Sequence, residues 1–345
     1  MRWLTRVLAG LLLGHALLSC REDAPVDDDG PAAGSGSGGA SAGMAGSVSA
    51  AAGAASPAGG GGASSGSSVV AGTSNQGGAG SSNSGGEPAQ AGTGGGPVAE
   101  QLMNAHFTAA ELGAYARDEV AADFGAAPAW DDGLGEGRAT IEAEADNRFL
   151  RVTFPADVFG PANGGVQFIV TLAESHEELF FAYRVRFQAG FGFNRGGKLP
   201  GLVGGTSPTG CQPEETGFSA RNMWRMGGAI VQYVYWPDQP NTCGDDLDYE
   251  ADGEPLSFTP GTWQTVEHRI KMNTPGQSDG VMQAWIDGQL YLDDSARQWR
   301  KVESFAIDAL YFSTFFGGST QDWASPMQQS VDFDDLIVSS VPIAH

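Results

Sequence analysis

The chain has 345 residues, with 18 Lys and Arg against 41 Asp and Glu, a formal net charge of -23. So acidic a chain does not suit nucleic acid as a partner. Its length allows two domains, but the low-complexity composition of the first hundred residues leaves material for one core.

Met1 to Cys20 carries Arg2 and Arg6, then the apolar run Val7-Leu8-Ala9-Gly10-Leu11-Leu12-Leu13, and ends Leu17-Leu18-Ser19-Cys20. The run is too short to span a membrane and reads as a secretory signal. The Leu-Leu-Ser-Cys ending resembles a bacterial lipobox, which implies lipidation of Cys20 and an exported, surface-anchored lipoprotein. A plain signal peptide, and a secreted protein, is the alternative.

Residues 21–97 are Gly, Ser and Ala with a few acids, without aromatic, lysine or histidine. Such a segment cannot offset chain entropy by apolar burial, so a disordered tether is expected, with an end-to-end distance of roughly 50 Å. The folded domain is expected at 98–345. With the three bases and six acids before Val98 set aside, 15 bases face 35 acids there.

Thr108 and Glu111 have capping-box spacing and predict a helical turn. Strands are predicted at 139–143, 148–154, 166–172, 179–187, 217–225, 229–236, 262–272, 281–286, 309–316 and 330–338, with Gly, Pro, Asn and Asp between them. Asp287-Gly288 between apolar runs is a hairpin signal. Many alternating strands with almost no helical periodicity imply an all-β fold, an antiparallel β-jelly roll or concanavalin-like sandwich.

Leu179 to Trp236 concentrates positive charge: Arg184, Arg186, Arg195, Lys198, Arg221 and Arg225, against only Glu214 and Glu215. Strand alternation puts Arg184 and Arg186 on one face of their strand, and Ser219, Arg221, Met223 and Arg225 on one face of another. Val231, Tyr233 and Tyr235 share a face of the next. Lys198 falls in what reads as a Gly-rich turn, Arg195 to Gly201. If these strands are neighbours, one surface presents guanidinium groups, phenols, a lysine and a hydroxyl. That set suits β-elimination on a uronic-acid polymer, which needs a carboxylate neutraliser, a base and an acid. Arginine's planar fork matches the first role. A carbohydrate-binding face, with Tyr233, Tyr235 and Trp236 against sugars, is the other reading. A hydrolase would want two flanking carboxylates, and only the adjacent Glu214 and Glu215 are available.

Three motifs in order, Gly196-Gly197-Lys198-Leu199-Pro200-Gly201-Leu202, Phe218-Ser219-Ala220-Arg221 and Tyr233-Val234-Tyr235-Trp236-Pro237-Asp238-Gln239, resemble the polysaccharide lyase family 14 alginate lyases. Asn273-Thr274-Pro275-Gly276 and Trp285-Ile286-Asp287-Gly288 extend the likeness, which covers roughly residues 168–338. The resemblance implies a jelly roll with a cleft on its concave sheet and cleavage of alginate or a related polyuronate. It implies catalytic roles for Lys198, Ser219, Arg221, Tyr233 and Tyr235, and no metal or other cofactor. Arg184, Arg186, Arg195, Arg225 and Trp236 are then candidates for substrate binding. A monomer acting on an anionic polysaccharide is expected.

With Cys20 assigned to lipid, Cys211 and Cys243 remain, and a disulfide between them suits an oxidising compartment. The acidic run Asp245 to Glu254 begins like a calcium loop but has Thr259 where the closing glutamate belongs, so a solvated loop is expected. His106, His176 and His268 lack zinc-like spacing.

Overall fold

The computed structural model describes residues 101–343. The signal, the Cys20 lipidation site and the 21–97 tether lie outside the described residues. In chain order the first strands are β1 (Gln101–Ala105), β2 (Gly113–Ala114), β3 (Trp130–Asp132), β4 (Ala139–Glu144), β5 (Asn147–Phe154) and β6 (Val166–His176). Next come β7 (Glu178–Phe187), β8 (Gly196–Gly205), β9 (Gly217–Arg225), β10 (Ile230–Tyr235), β11 (Asp245–Asp248), β12 (Glu250–Ala251) and β13 (Glu254–Pro255). The last are β14 (Gln264–Lys271), β15 (Gly280–Ile286), β16 (Gln289–Arg297), β17 (Ile307–Phe316) and β18 (Gln329–Ser339).

Pairing is antiparallel and builds two large sheets. One has nine strands in the order β16-β15-β14-β7-β18-β5-β4-β2, with β1 also on β18; the other has seven, β11-β10-β9-β8-β17-β6-β3. Their inner faces bury one core, to which alternate residues contribute: Phe181, Tyr183, Val185 and Phe187 from β7, Phe218, Ala220 and Trp224 from β9, and Leu310 and Phe312 from β17. This is the β-jelly-roll sandwich expected from the alternation. Trp224 is fully buried, with ring centroids of Phe154, Phe187, Phe191 and Phe316 between 5.3 and 6.0 Å away. Its Nε1 donates to the Phe193 carbonyl at 3.0 Å. Burying one such side chain contributes about 1.5–3 kcal/mol, and it fixes β9 from beneath.

The Asp287-Gly288 hairpin joins β15 to β16 with φ of 50° and 78°, the positive pair that a type I′ turn requires. Two local expectations are corrected. Thr108 lies in a single 3₁₀ turn, Phe107–Ala109, whereas the α-helix of this region is Arg117–Phe124, whose Glu119 carboxylate accepts the Ala116 N–H at 3.0 Å. The segment read as a Gly-rich turn is the central strand β8. Its glycines permit close approach: a Cβ on Gly197 would lie 2.1 Å from the Trp224 ring, and one on Gly201 2.0 Å from the Ala220 carbonyl oxygen.

Pro200 within that central strand is accommodated by a bulge. Lys198 pairs with Met223 and Gly201 with Arg221, so three steps along β8 face two along β9. The extra residue carries Lys198 and Gly201 to the same face.

Candidate active site

On the outward face of the seven-stranded sheet, register brings the central residues together. Arg221 is opposite Tyr233, Ser219 opposite Tyr235, and Met223 opposite both Val231 and Lys198. Directly opposed residues of an antiparallel pair point to the same side. Lys198 Nζ lies 3.0 Å from Met223 Sδ and 4.1 Å from the centroid of the Tyr233 ring. The Tyr233 and Tyr235 hydroxyls are 3.3 Å apart, their rings edge to face. Arg221 leans across β8 above Gly201 to reach β17. There its guanidinium sits 5.1 Å from the Tyr311 ring centroid, and Nη1 is 3.4 Å from Ser313 Oγ.

Two loops hold the phenols. The Cys211 N–H donates to the Tyr235 hydroxyl at 3.0 Å, and the Gly244 N–H donates to the Tyr233 hydroxyl at 3.0 Å. Cys211 and Cys243 are joined by a disulfide, so these donors sit at its two ends. Ser219 Oγ donates to the Pro208 carbonyl at 2.7 Å, which ties the same loop to β9. An N–H donor on each phenol oxygen, with Lys198 and Arg225 against the Tyr233 ring, stabilises negative charge developing there. The arrangement can take a proton at one oxygen and supply one at another, beside a guanidinium fork for a carboxylate.

The remaining expected binding residues are spread more widely. Arg225 joins the cluster, 5.4 Å from the Tyr233 ring centroid and bonded through two nitrogens to Asp246 at 2.8 and 2.6 Å. Arg195 stands further out, ion-paired to Asp322 and 5.3 Å from the Trp323 ring centroid. Trp236 turns away from the phenols: it packs partly against the core and donates Nε1 to Asp245 at 2.9 Å.

Arg184 and Arg186 do not lie on this surface. Their strand, β7, belongs to the nine-stranded sheet, between β14 and β18. Arg186 is bonded to the buried Asp332 at 2.9 Å, which Arg151 also holds at 2.7 Å. Arg184 lies 3.4 Å from Asp335 and 3.8 Å from Asp334. Burial and the neighbouring Asp335 hold the Asp334 carboxyl above its ordinary range. These arginines neutralise carboxylates of their own sheet. The Asp245 to Glu254 run is also structural in part: its first residues are β11, the edge strand against β10. Among the described residues no three His, Cys, Asp or Glu side chains are grouped to hold a metal ion.

Sequence reasoning missed Tyr311 and Ser313, although the alternation of Ala309, Tyr311, Ser313 and Phe315 in one strand carries that signal. It also missed Gly244, which nothing local distinguishes from any loop glycine.

A family model described as Polysaccharide lyase 14 matches residues 142–336. Among curated proteins, the chain is 26% identical over 168 residues to an exolysin of Paramecium bursaria Chlorella virus 1, across 40% of this chain and 25% of that one. The chain thus spans about a quarter of that relative's length. Among solved structures it is similar to the alginate lyase Aly36B, with 30% identity, a TM-score of 0.61, and 70% of this chain and 98% of that chain covered. A variant of that enzyme, with a lysine and a tyrosine changed to alanine, is solved in complex with alginate tetrasaccharide; it is 28% identical over the same shares, with TM-score 0.61. The marine PL-14 alginate lyase from Aplysia kurodai shares the fold at 23% identity and TM-score 0.56, over 69% of this chain and 98% of that chain.

Proposed function

The chain belongs to polysaccharide lyase family 14, and from that premise we propose that it cleaves alginate or a related polyuronate by β-elimination. The observation that carries the reading is the pair of phenol oxygens 3.3 Å apart, with Arg221 cross-strand from Tyr233 and Lys198 above its ring. The Arg221 guanidinium receives the carboxylate of the sugar and stabilises the negative charge that builds as the adjacent carbon loses its proton. Tyr233, Tyr235 and Lys198 form the acid/base set. One takes that proton, the electron pair of the broken C–H bond becomes the new carbon–carbon double bond, and the bond to the glycosidic oxygen breaks. A second member of the set protonates the departing oxygen. The products are a new reducing end and an unsaturated sugar at the new non-reducing end. The alginate complex of the lysine and tyrosine variant of Aly36B supports this assignment of residue types.

Export is part of the same proposal. The signal-like N-terminus with Cys20 supports a lipid-anchored or secreted protein, and the Cys211–Cys243 disulfide suits an oxidising compartment.

The test is ultraviolet absorbance over time as the protein acts separately on polymannuronate, polyguluronate and glucuronan. A rise on at least one, abolished in Lys198→Ala and Tyr235→Phe, is expected and names the sugar. No rise on any of the three overturns the proposal.

A further inference from the structure

The catalytic face does not stop at the phenols. Cross-strand register aligns one row over six strands, from Tyr233 through Arg221, Gly201, Tyr311 and Ile169 to Trp130. All six positions point away from the sandwich core, because directly opposed residues share a side; Tyr233, Arg221, Gly201 and Tyr311 are buried there, Ile169 is half-buried and Trp130 is exposed. From β10 to β3 is five strand spacings, which at roughly 4.8 Å each is about 24 Å. The row is therefore long enough to lie beneath several sugars of one chain.

Its two ends differ in chemistry. Lys198, Arg221 and Arg225 crowd the phenol end. At the other, Trp130 is 39% exposed on the outer strand, with its ring edge to face with Tyr311 at 5.6 Å. The Tyr311 hydroxyl donates to Gln167 Oε1 at 2.7 Å, which fixes that ring behind the indole. Asp132 is the cross-strand partner of Gln167 on the same face. An exposed indole face beside an amide and a carboxylate suits the C–H face and hydroxyls of a pyranose. Arg138, whose charge bears on Asp132, is itself engaged by Glu136 and by the Gly165 and Ala162 carbonyls.

We propose that Trp130, backed by Tyr311 and flanked by Gln167 and Asp132, is a distal subsite that binds a uronosyl unit of the chain held at the phenols. The unit stacks its C–H face on the indole and places hydroxyls on the amide and carboxylate, with its own carboxylate turned to solvent. Continuity with the catalytic row identifies the occupant. The subsite rests on the lyase reading above and adds a length preference: only oligomers that reach β3 gain from it.

The experiment compares kcat/KM on a short and a long oligouronate, both prepared from whichever polyuronate the wild-type protein cleaves, for wild type, Trp130→Ala and Trp130→Phe. The advantage of the long substrate over the short should fall about tenfold in Trp130→Ala, the order of one aromatic contact. Most of it should return in Trp130→Phe. Because the contact is not ionic, the Trp130→Ala deficit should persist at high salt, where charge-based binding is screened. An unchanged long-to-short ratio in an active Trp130→Ala overturns the subsite and leaves the lyase standing. Equal loss on both substrates also overturns it, as damage to the fold. A wild-type protein that cleaves no polyuronate overturns the lyase reading and this inference together.

Discussion

The Cys211 N–H is hydrogen-bonded to the Tyr235 hydroxyl at 3.0 Å, so one of the proposed acid/base groups is oriented by a disulfide half-cystine as well as by the neighbouring phenol. The residue after the other half-cystine does the same for Tyr233. The bridge closes a loop with a sequence separation of 32, worth about 3–4 kcal/mol in the chain-entropy account. Reduction, or the Cys211→Ser/Cys243→Ser double variant, should lower Tm by on the order of 10 °C and lower kcat more than KM rises. Thermal unfolding and lyase assays with and without dithiothreitol measure both; full kcat in the reduced protein would separate the bridge from the phenols.

Gly244 gives a sharper test, because it leaves the bridge intact. A Cβ there would lie 2.8 Å from Cε2 of Tyr235 and 2.9 Å from Cζ of Tyr233. Gly244→Ala should push both rings and cost on the order of 10²-fold in kcat, as expected when oriented catalytic hydrogen bonds are displaced. Tm should change by only a few degrees. Wild-type turnover in this variant would mean that the loop does not orient the phenols.

Arg186 should matter for stability and not for the substrate. Its removal leaves the buried Asp332 with Arg151 as its charged partner, at a cost of about 1–3 kcal/mol. Urea unfolding of Arg186→Ala should show that loss, while KM for the polymer stays at the wild-type value. A raised KM without lost stability would return Arg186 to the binding surface.

His268 makes the fold sensitive to acid. It is buried in β14, neither ring nitrogen has a hydrogen-bond partner, and burial pushes its pKa down to about 3. The unfolded chain binds a proton near pH 6.5 that the folded chain refuses until about pH 3. Stability from this group is therefore complete above pH 6.5 and is lost as pH falls toward 3, by ~3 kcal/mol at pH 4. His268→Leu should remove that share of the acid dependence, so that the stability gap between variant and wild type changes in the variant's favour from pH 7 to pH 4. Parallel curves for the two proteins would rule this out.

Alternation made the faces of β9 and β10 legible before any coordinates, because a period of two is a local property. Ser219, Arg221 and Met223 could be set on one side and Trp224 on the other from their order alone. Sheet membership is not local. Alternation sets Arg184 and Arg186 on one face of their strand, yet β7 pairs with β14 and β18, and the first residue of β18 is more than a hundred positions further on. A basic stretch that is dense in sequence is consequently split between two sheets. Lys198 was hidden differently. Its glycines and proline are turn formers in isolation, and what makes them a strand is the demand of Trp224 and the β9 backbone for room.

The bulge at Leu199 and Pro200 gives chain length a role at this site that side-chain identity does not have. Without that bulge, plain alternation over the three steps from Lys198 to Gly201 would swing the lysine from Tyr233 toward Trp224, although every proposed catalytic side chain would still be present. Replacing Leu199 or Pro200 keeps the phase. Redesign of the cleft is accordingly free to alter residues around the lysine as long as the odd count and the bulge go together: shortening by one residue removes both and leaves the lysine on the Tyr233 side. In a related sequence, one missing residue there is compatible with an active site, because plain alternation then gives the same phase.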